Sequence, residues 1–148
     1  MAVGALAAIV QDNIKRLLAY SSIGHIGYIL IGFASFSELG IRSIIIYLFI
    51  YIAMNVGIFA ILLSLKSDNK YIEKISSMSG LSKNNPIISF VLAIMMFSMA
   101  AIPPFAGFFA KFYIFVAAIE SNLFFLALIG VLSSVVAAFY YIRIIKVM

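Results

Sequence analysis

The sequence predicts an all-α polytopic membrane protein with four transmembrane helices preceded by part of a fifth. Apolar residues make up 66% of the 148 and charged residues 10%, against roughly 45–50% and about 25% in soluble domains. A soluble fold of this size buries only about two thirds of its surface, too little to hide so much apolar area. The solvent is therefore lipid. Hydrophobic runs of about 20 residues, enough to cross a hydrocarbon core at about 1.5 Å per residue, recur between short polar segments. No strand-like alternation points to a membrane barrel.

Residues 1–16 hold the apolar stretch Ala2–Val10, too short to cross, then Gln11-Asp12-Asn13 and Lys15-Arg16. They read as the remnant of a preceding helix and a cytoplasmic loop, or as a short surface helix. A basic start and a small-residue cleavage site are missing, so these residues are not expected to be a signal peptide. Residues 17–65 carry two transmembrane helices, about Leu17–Phe36 and Ile44–Leu65. Residues 66–86 change character: Lys66, Asp68, Lys70, Glu73, Lys74 and Lys83 interleave with Ser, Asn and Gly. This is a cytoplasmic loop with room for a short amphipathic helix.

Residues 87–148 hold a discontinuous transmembrane helix and a final one. The apolar run Ile87–Ile119 would make a straight helix of about 50 Å, longer than a core of about 30 Å. Pro103-Pro104 lies midway, where two missing amide donors must break the ladder. The economical solution is one crossing built from half-helices Ile87–Ile102 and Phe105–Ile119; a re-entrant hairpin is the alternative. The last span runs from about Leu123 to Ile142 and ends at Arg143 and Lys146. With one crossing, Lys15, Arg16, Lys66, Lys70, Lys74, Lys83, Arg143 and Lys146 share a side and Arg42 stands opposite, as the positive-inside rule asks of a cytoplasmic face. The hairpin would strand Arg143 and Lys146 outside.

The net charge of +5 is scattered between apolar runs and forms no face for nucleic acid. The chain has no cysteine, which excludes disulfides and thiolate metal sites. No Gly-rich phosphate loop, ligand-spaced histidine cluster or nucleophile beside a base is present. Gly130, Ser134 and Ala138 recur every four residues, a small-residue stripe suited to close helix packing.

Lys111 is the most informative residue. It sits eight residues before Ile119, roughly 12 Å from that end of the span. An ammonium facing lipid at such depth costs at least about 2.5–3.5 kcal/mol. It must therefore face a hydrated cavity or protein polar groups, either as a proton- or ion-relay group or as a structural cap of the broken helix. His25 shares a helical face with Ser21, Ser22 and Tyr28 at spacings of three and four. An imidazole can pass a proton either way or simply tie helices together. Tyr47, Tyr51 and Asn55 align at four-residue steps as polar support. All five acidic residues flank the spans or lie in loops, so a counter-charge for Lys111 is expected from outside this chain.

The segments QDNIKRLLAYSSIGHIGYILIGF (11–33), MAAIPPFAGFFAKFYIF (99–115) and AAFYYIRIIKV (137–147) together resemble the subunit N family of bacterial NADH-quinone oxidoreductases. This family belongs with subunits L and M and the multisubunit cation/proton antiporters among the antiporter-like membrane proteins. The resemblance implies a fourteen-helix parent of two inverted five-helix repeats, each with a discontinuous helix. Ala2–Val10 then matches the tail of the ninth helix, and the four spans match the tenth to thirteenth. Pro103-Pro104 matches the break in the twelfth helix, Lys111 its lysine, and His25 the tenth-helix histidine of the central hydrophilic axis. Subunit M-like proteins carry glutamate where Lys111 stands, so Lys111-Phe112-Tyr113 favours subunit N. The first repeat with its helix-five glutamate, the helix-seven and helix-eight lysines and the last helix are missing. A fragment of a longer protein, or a split or decayed gene, is expected.

The function implied is proton translocation coupled to quinone reduction in the bacterial inner membrane, with no redox catalysis and no cofactor in this chain. NADH, flavin, iron–sulfur clusters and quinone are expected elsewhere in the complex. The implied partners are other membrane-arm subunits, the missing part of the same subunit, the lipid bilayer and protons. A cation/proton antiporter subunit and a non-conducting structural fragment are the alternatives.

Overall fold

In the computed structural model, which describes residues 1–67, 70–71 and 73–148, helices start where polar side chains can satisfy free amides. Asp68, one of the predicted loop charges, lies outside the described residues. The chain opens with α1 (Ala2–Ile9). Asn13 then caps α2 (Ile14–Ala34), its side-chain oxygen accepting from the amides of Lys15 and Arg16 at 3.0 and 3.2 Å. Ser37 caps α3 (Glu38–Ser64) through the Gly40 amide at 3.0 Å. Such caps satisfy donors that have no partner inside the helix. The segment before the next long helix contains the paired β1 (Lys66–Ser67) and β2 (Lys70–Tyr71), a 3₁₀ turn at Ile75–Met78 and α4 (Leu81–Asn84). It is followed by α5 (Pro86–Met99), α6 (Ala106–Glu120) and α7 (Phe124–Val147).

Three of these helices are long and apolar enough to cross a membrane: α2, α3 and α7. Four crossings were expected, one of them built from two half-helices; α5 and α6, of 14 and 15 residues, are each too short to cross alone. The interruption is also wider than the expected two-residue linker, because residues 100–105 all lie outside helix. Pro103 and Pro104 cannot donate to the carbonyls four residues back, and a residue before proline is pushed out of helical geometry. Helix α5 therefore ends early. Its last carbonyls are taken by Ala101 N–H to Ser98 O at 2.9 Å and Ile102 N–H to Phe97 O at 3.2 Å, with Ala101 left-handed at φ 60°. That is a Schellman stop with alanine where glycine is usual. Across the gap the Gly107 amide donates to Ser98 Oγ at 3.0 Å. A Cβ on Gly107 would overlap the Ser98 carbonyl oxygen, so only glycine lets the two half-helices meet this closely.

The buried apolar residues form two layers. One gathers Ile14, Leu17 and Leu18 of α2, Ile58 and Leu62 of α3, Leu92 and Met96 of α5, and Ile144 of α7, with Ile75 and Met78 beneath. The other gathers Ile29 and Ile31 of α2, Ile44 of α3, Ile114 and Ala118 of α6, and Ala127 of α7. Helix α5 thus belongs to the layer near the α3–α5 connection, and α6 to the opposite layer. At the connection end, Ile14 N–H bonds Glu73 O at 2.8 Å, Ile75 N–H bonds Asp12 O at 2.9 Å and Ser82 Oγ bonds Met148 O at 2.9 Å. At the far end, Ser121 Oγ donates to Ser35 O at 2.9 Å. Between the layers, at mid-height, lie the polar side chains.

Candidate functional site

Each polar side chain in this middle zone must find a partner inside the protein, because lipid offers none. Lys111 is the sixth residue of α6, roughly 14 Å from Glu120 at that helix's end. It is 3% exposed. Its Nζ donates to Ser134 Oγ of α7 at 2.9 Å and stands 4.7 Å from the centroid of the Tyr28 ring of α2. The ring's negative face attracts the cation. The Tyr28 hydroxyl in turn donates to the Gly130 carbonyl at 3.2 Å. Among the described residues, the ion pairs are Lys15–Glu73, Arg42–Glu38 and Arg143–Asp12, and none of these carboxylates reaches Lys111.

His25 is buried one turn before Tyr28. Its Nδ1 lies 2.7 Å from the Tyr47 hydroxyl of α3, and its Nε2 lies 3.1 Å from the Tyr141 hydroxyl of α7. Tyr51 stacks on the ring with centroids 4.7 Å apart. Tyr141 also makes a short hydrogen bond with Ser21. The string Tyr47–His25–Tyr141–Ser21 thus ties three helices together with hydroxyls and one imidazole, all buried.

Lys111 lies between two spaces. On one side a gap too narrow to hold a water separates it from His25, walled by Tyr47, Tyr51, Met54 and Ser98. On the other, a recess of about 410 Å³ opens at the helix break, lined by Ile102, Pro103, Phe108, Val131, Ser134 and Lys111 itself. Pro103 and Pro104 are exposed at its rim. The break therefore brings open space to a buried amine.

Of the side chains singled out from the sequence, Lys111, His25, Ser21, Tyr28, Tyr47 and Tyr51 come together here. Ser22 and Asn55 do not; they bond the carbonyls four residues back on their own helices, Ser22 to Leu18 at 2.9 Å and Asn55 to Tyr51 at 3.1 Å. Tyr140, Tyr141 and Ser98 were not among the candidates, and Ser134 was read only as part of a packing stripe. That stripe has two uses in the fold. Gly130 makes room for Phe115, and Ser134 accepts from Lys111. The signal for the tyrosines was the spacing Ala137, Tyr140, Tyr141, Ile144, one buried face of α7. A hydroxyl on such a face must be hydrogen-bonded. Among the described residues no three His, Cys, Asp or Glu side chains gather as a metal site.

Comparison with known proteins places this geometry in a family. The profile of the family described as NADH:quinone oxidoreductase/Mrp antiporter, TM, matches residues 1–137. The chain is 57% identical over 148 residues to NADH-quinone oxidoreductase subunit N of Paramagnetospirillum magneticum, covering 100% of this chain and 30% of the relative. It is 58% identical over 147 residues to subunit N of Pelagibacter ubique, covering 99% and 31%. Among solved structures it is similar to a chain of respiratory complex I from Thermus thermophilus, with TM-score 0.85 and 30% identity over 98% of this chain and 33% of that one. It is also similar to a chain of the Mrp complex from Dietzia, with TM-score 0.88 and 27% identity over 99% and 27%. The chain spans about a third of the length of the curated relatives it matches.

Proposed function

The chain belongs to the NADH:quinone oxidoreductase/Mrp antiporter membrane family, and from that premise we propose that it is a segment of a membrane-arm subunit N that helps to carry protons across the bilayer. It is a multi-pass protein of the bacterial inner membrane, with long apolar helices and bacterial relatives. NADH–quinone electron transfer belongs to other parts of the complex, and this chain supplies the proton-handling side chains. Its partners are the rest of the same subunit, the neighbouring membrane-arm subunits and lipid.

In this reading α5 and α6 together make a fourth crossing, and α1 is the tail of a further helix of an inverted-repeat fold. The layering supports a single crossing over a hairpin: α5 packs near the connection end and α6 ends beside Ser35 at the far end. That arrangement sets Lys15, Arg16, Lys74, Lys83, Arg143 and Lys146 at one end and Arg42 at the other, so the connection end is cytoplasmic.

The observation that carries the function is Lys111: an ammonium 3% exposed, beside a broken helix, with a hydroxyl and an aromatic face for company. Lipid alone would not tolerate it. Lys111 holds and releases a proton, His25 with its tyrosines links it to neighbouring groups, and the break gives water and movement access to the amine. Replacing Lys111 with alanine in the assembled parent complex is expected to lower proton pumping without loss of assembly. Normal pumping by a normally assembled variant overturns the proposal.

The likeness to the Dietzia Mrp chain favours a second reading, a subunit of a cation/proton antiporter using the same lysine. Genes flanking this one separate the two: quinone oxidoreductase subunits for the first, antiporter subunits for the second. A non-conducting structural fragment would leave pumping indifferent to Lys111.

A further inference from the structure

Lys111 is a buried cation with no carboxylate beside it. Among the described residues, Asp12, Glu38 and Glu73 are engaged in ion pairs at the two ends of the helices, and Glu120 ends α6, roughly 14 Å away. An ammonium has three N–H donors. Ser134 Oγ takes one at 2.9 Å. The face of the Tyr28 ring meets the cation as well, its centroid 4.7 Å from Nζ. Such a face carries partial negative charge, and its hold on a cation strengthens where water is excluded.

The ring is fixed from two other helices. Lys111 and Phe115 stand one turn apart on α6, and Gly130 and Ser134 one turn apart on α7. Tyr28 of α2 reaches both pairs. Its hydroxyl donates to Gly130 O at 3.2 Å, and its ring meets that of Phe115 edge-to-face, with centroids 6.0 Å apart at 83°. Gly130 makes this possible, because a Cβ there would lie 2.6 Å from Phe115 Cε1. Tyr28 itself is 3% exposed, so its ring is screened from water.

We propose that the Tyr28 ring is the counter-charge of the Lys111 ammonium and positions it beside Ser134. The ring takes the place of the carboxylate expected from outside the chain. A carboxylate there would itself accept a proton from the amine. An aromatic face has no basic site, and the Tyr28 hydroxyl hydrogen is committed to Gly130. The ring therefore holds the cation without becoming an alternative home for its proton. Tyr28 is a positioning residue, acting through Lys111. This consequence for transport rests on the relay proposed above; the contact between ring and cation does not.

The test replaces Tyr28 in the assembled parent complex with phenylalanine whose ring carries none, one, two or three fluorines. Fluorine draws electrons from the ring face at nearly constant size, so packing is preserved while the attraction for a cation weakens. Tyr28→Phe keeps the face and loses the Gly130 bond, and its pumping is expected to stay within about fivefold of wild type. Pumping is then expected to fall with each fluorine, by about tenfold or more across the series. Tyr28→Leu, apolar but without a face, is expected to match the end of the series. A flat series overturns the proposal, since the ring would then serve as packing alone. Solid-state NMR of the intact 148-residue chain in lipid bilayers reads the contact independently. The ε-methylene protons of Lys111, identified by their loss in Lys111→Ala, are expected upfield of the other lysines through the ring current and are expected to rejoin them in Tyr28→Leu. An unshifted Lys111 signal in the wild type overturns the proposal whatever the pumping. Normal pumping by Lys111→Ala overturns the relay alone, and the lysine signal then still decides the contact.

Discussion

Gly107→Ala is the sharpest perturbation of the helix break. The methyl group would overlap the Ser98 carbonyl oxygen, a backbone atom that no rotamer change can move. Forcing extra volume into a packed contact costs about 1–3 kcal/mol. Separating the half-helices also weakens the Gly107 N–H to Ser98 Oγ bond, worth about 1 kcal/mol. Alanine returns about 0.5–1 kcal/mol through its better helix propensity. The balance is a destabilisation of about 2 kcal/mol. Lys111 lies one turn beyond Gly107 on the same face of α6, so the displacement carries Nζ away from Ser134. Ser98→Ala is the control: it removes the bond and leaves the close approach intact, so it should cost about 1 kcal/mol. Denaturant unfolding of the purified chain in detergent, with pumping by the assembled parent complex, measures both. A Gly107→Ala protein within about 0.5 kcal/mol of wild type that pumps normally would refute the claim that this contact sets the lysine.

Ser134→Ala removes the hydroxyl that accepts from Lys111; a hydrogen bond to a charged group contributes about 1.5–3 kcal/mol, so pumping is expected to fall roughly tenfold or more. Ser133→Ala, on the α1-facing side of α7, is expected to leave pumping unchanged, and proton-uptake traces in vesicles compare the two. Arg143→Gln loses the charge that bonds Ile9 O at 3.1 Å and Asp12 at 2.7 Å. Because this pair is partly solvated, stability should drop by less than about 1 kcal/mol, with faster proteolysis between α1 and α2 as the visible effect. Unchanged cleavage there would show that Arg143 does not hold that turn.

Much of this protein was legible along the chain because lipid makes strong demands on local sequence. A span must be apolar for about 20 residues, so α2, α3 and α7 announced themselves, although α3 begins at Glu38 rather than Ile44 and α7 runs on to Val147 rather than Ile142. A proline pair must interrupt a helix, and a mid-span ammonium must have company; both statements hold before any neighbour is known. The width of the break was not legible, because the Schellman stop at Ala101 and the Ser98–Gly107 contact depend on how α6 lies against α5. Which polar residues meet was not legible either. Ser22 carries the same hydroxyl as Ser21, and Asn55 is a hydrogen-bonding side chain like Tyr47, yet each had a carbonyl of its own helix within reach and turned to it.

Spacing of three and four residues identifies a face of a helix, and the sequence by itself determined those faces and the long apolar helices α2, α3 and α7. Only the tertiary structure decided that the face bearing His25 meets Tyr141, 116 positions away, and that Lys111 meets Ser134. The reason is physical: hydrogen bonds between helices act over about 3 Å, and that contact is made by the packing of two apolar layers above and below the site.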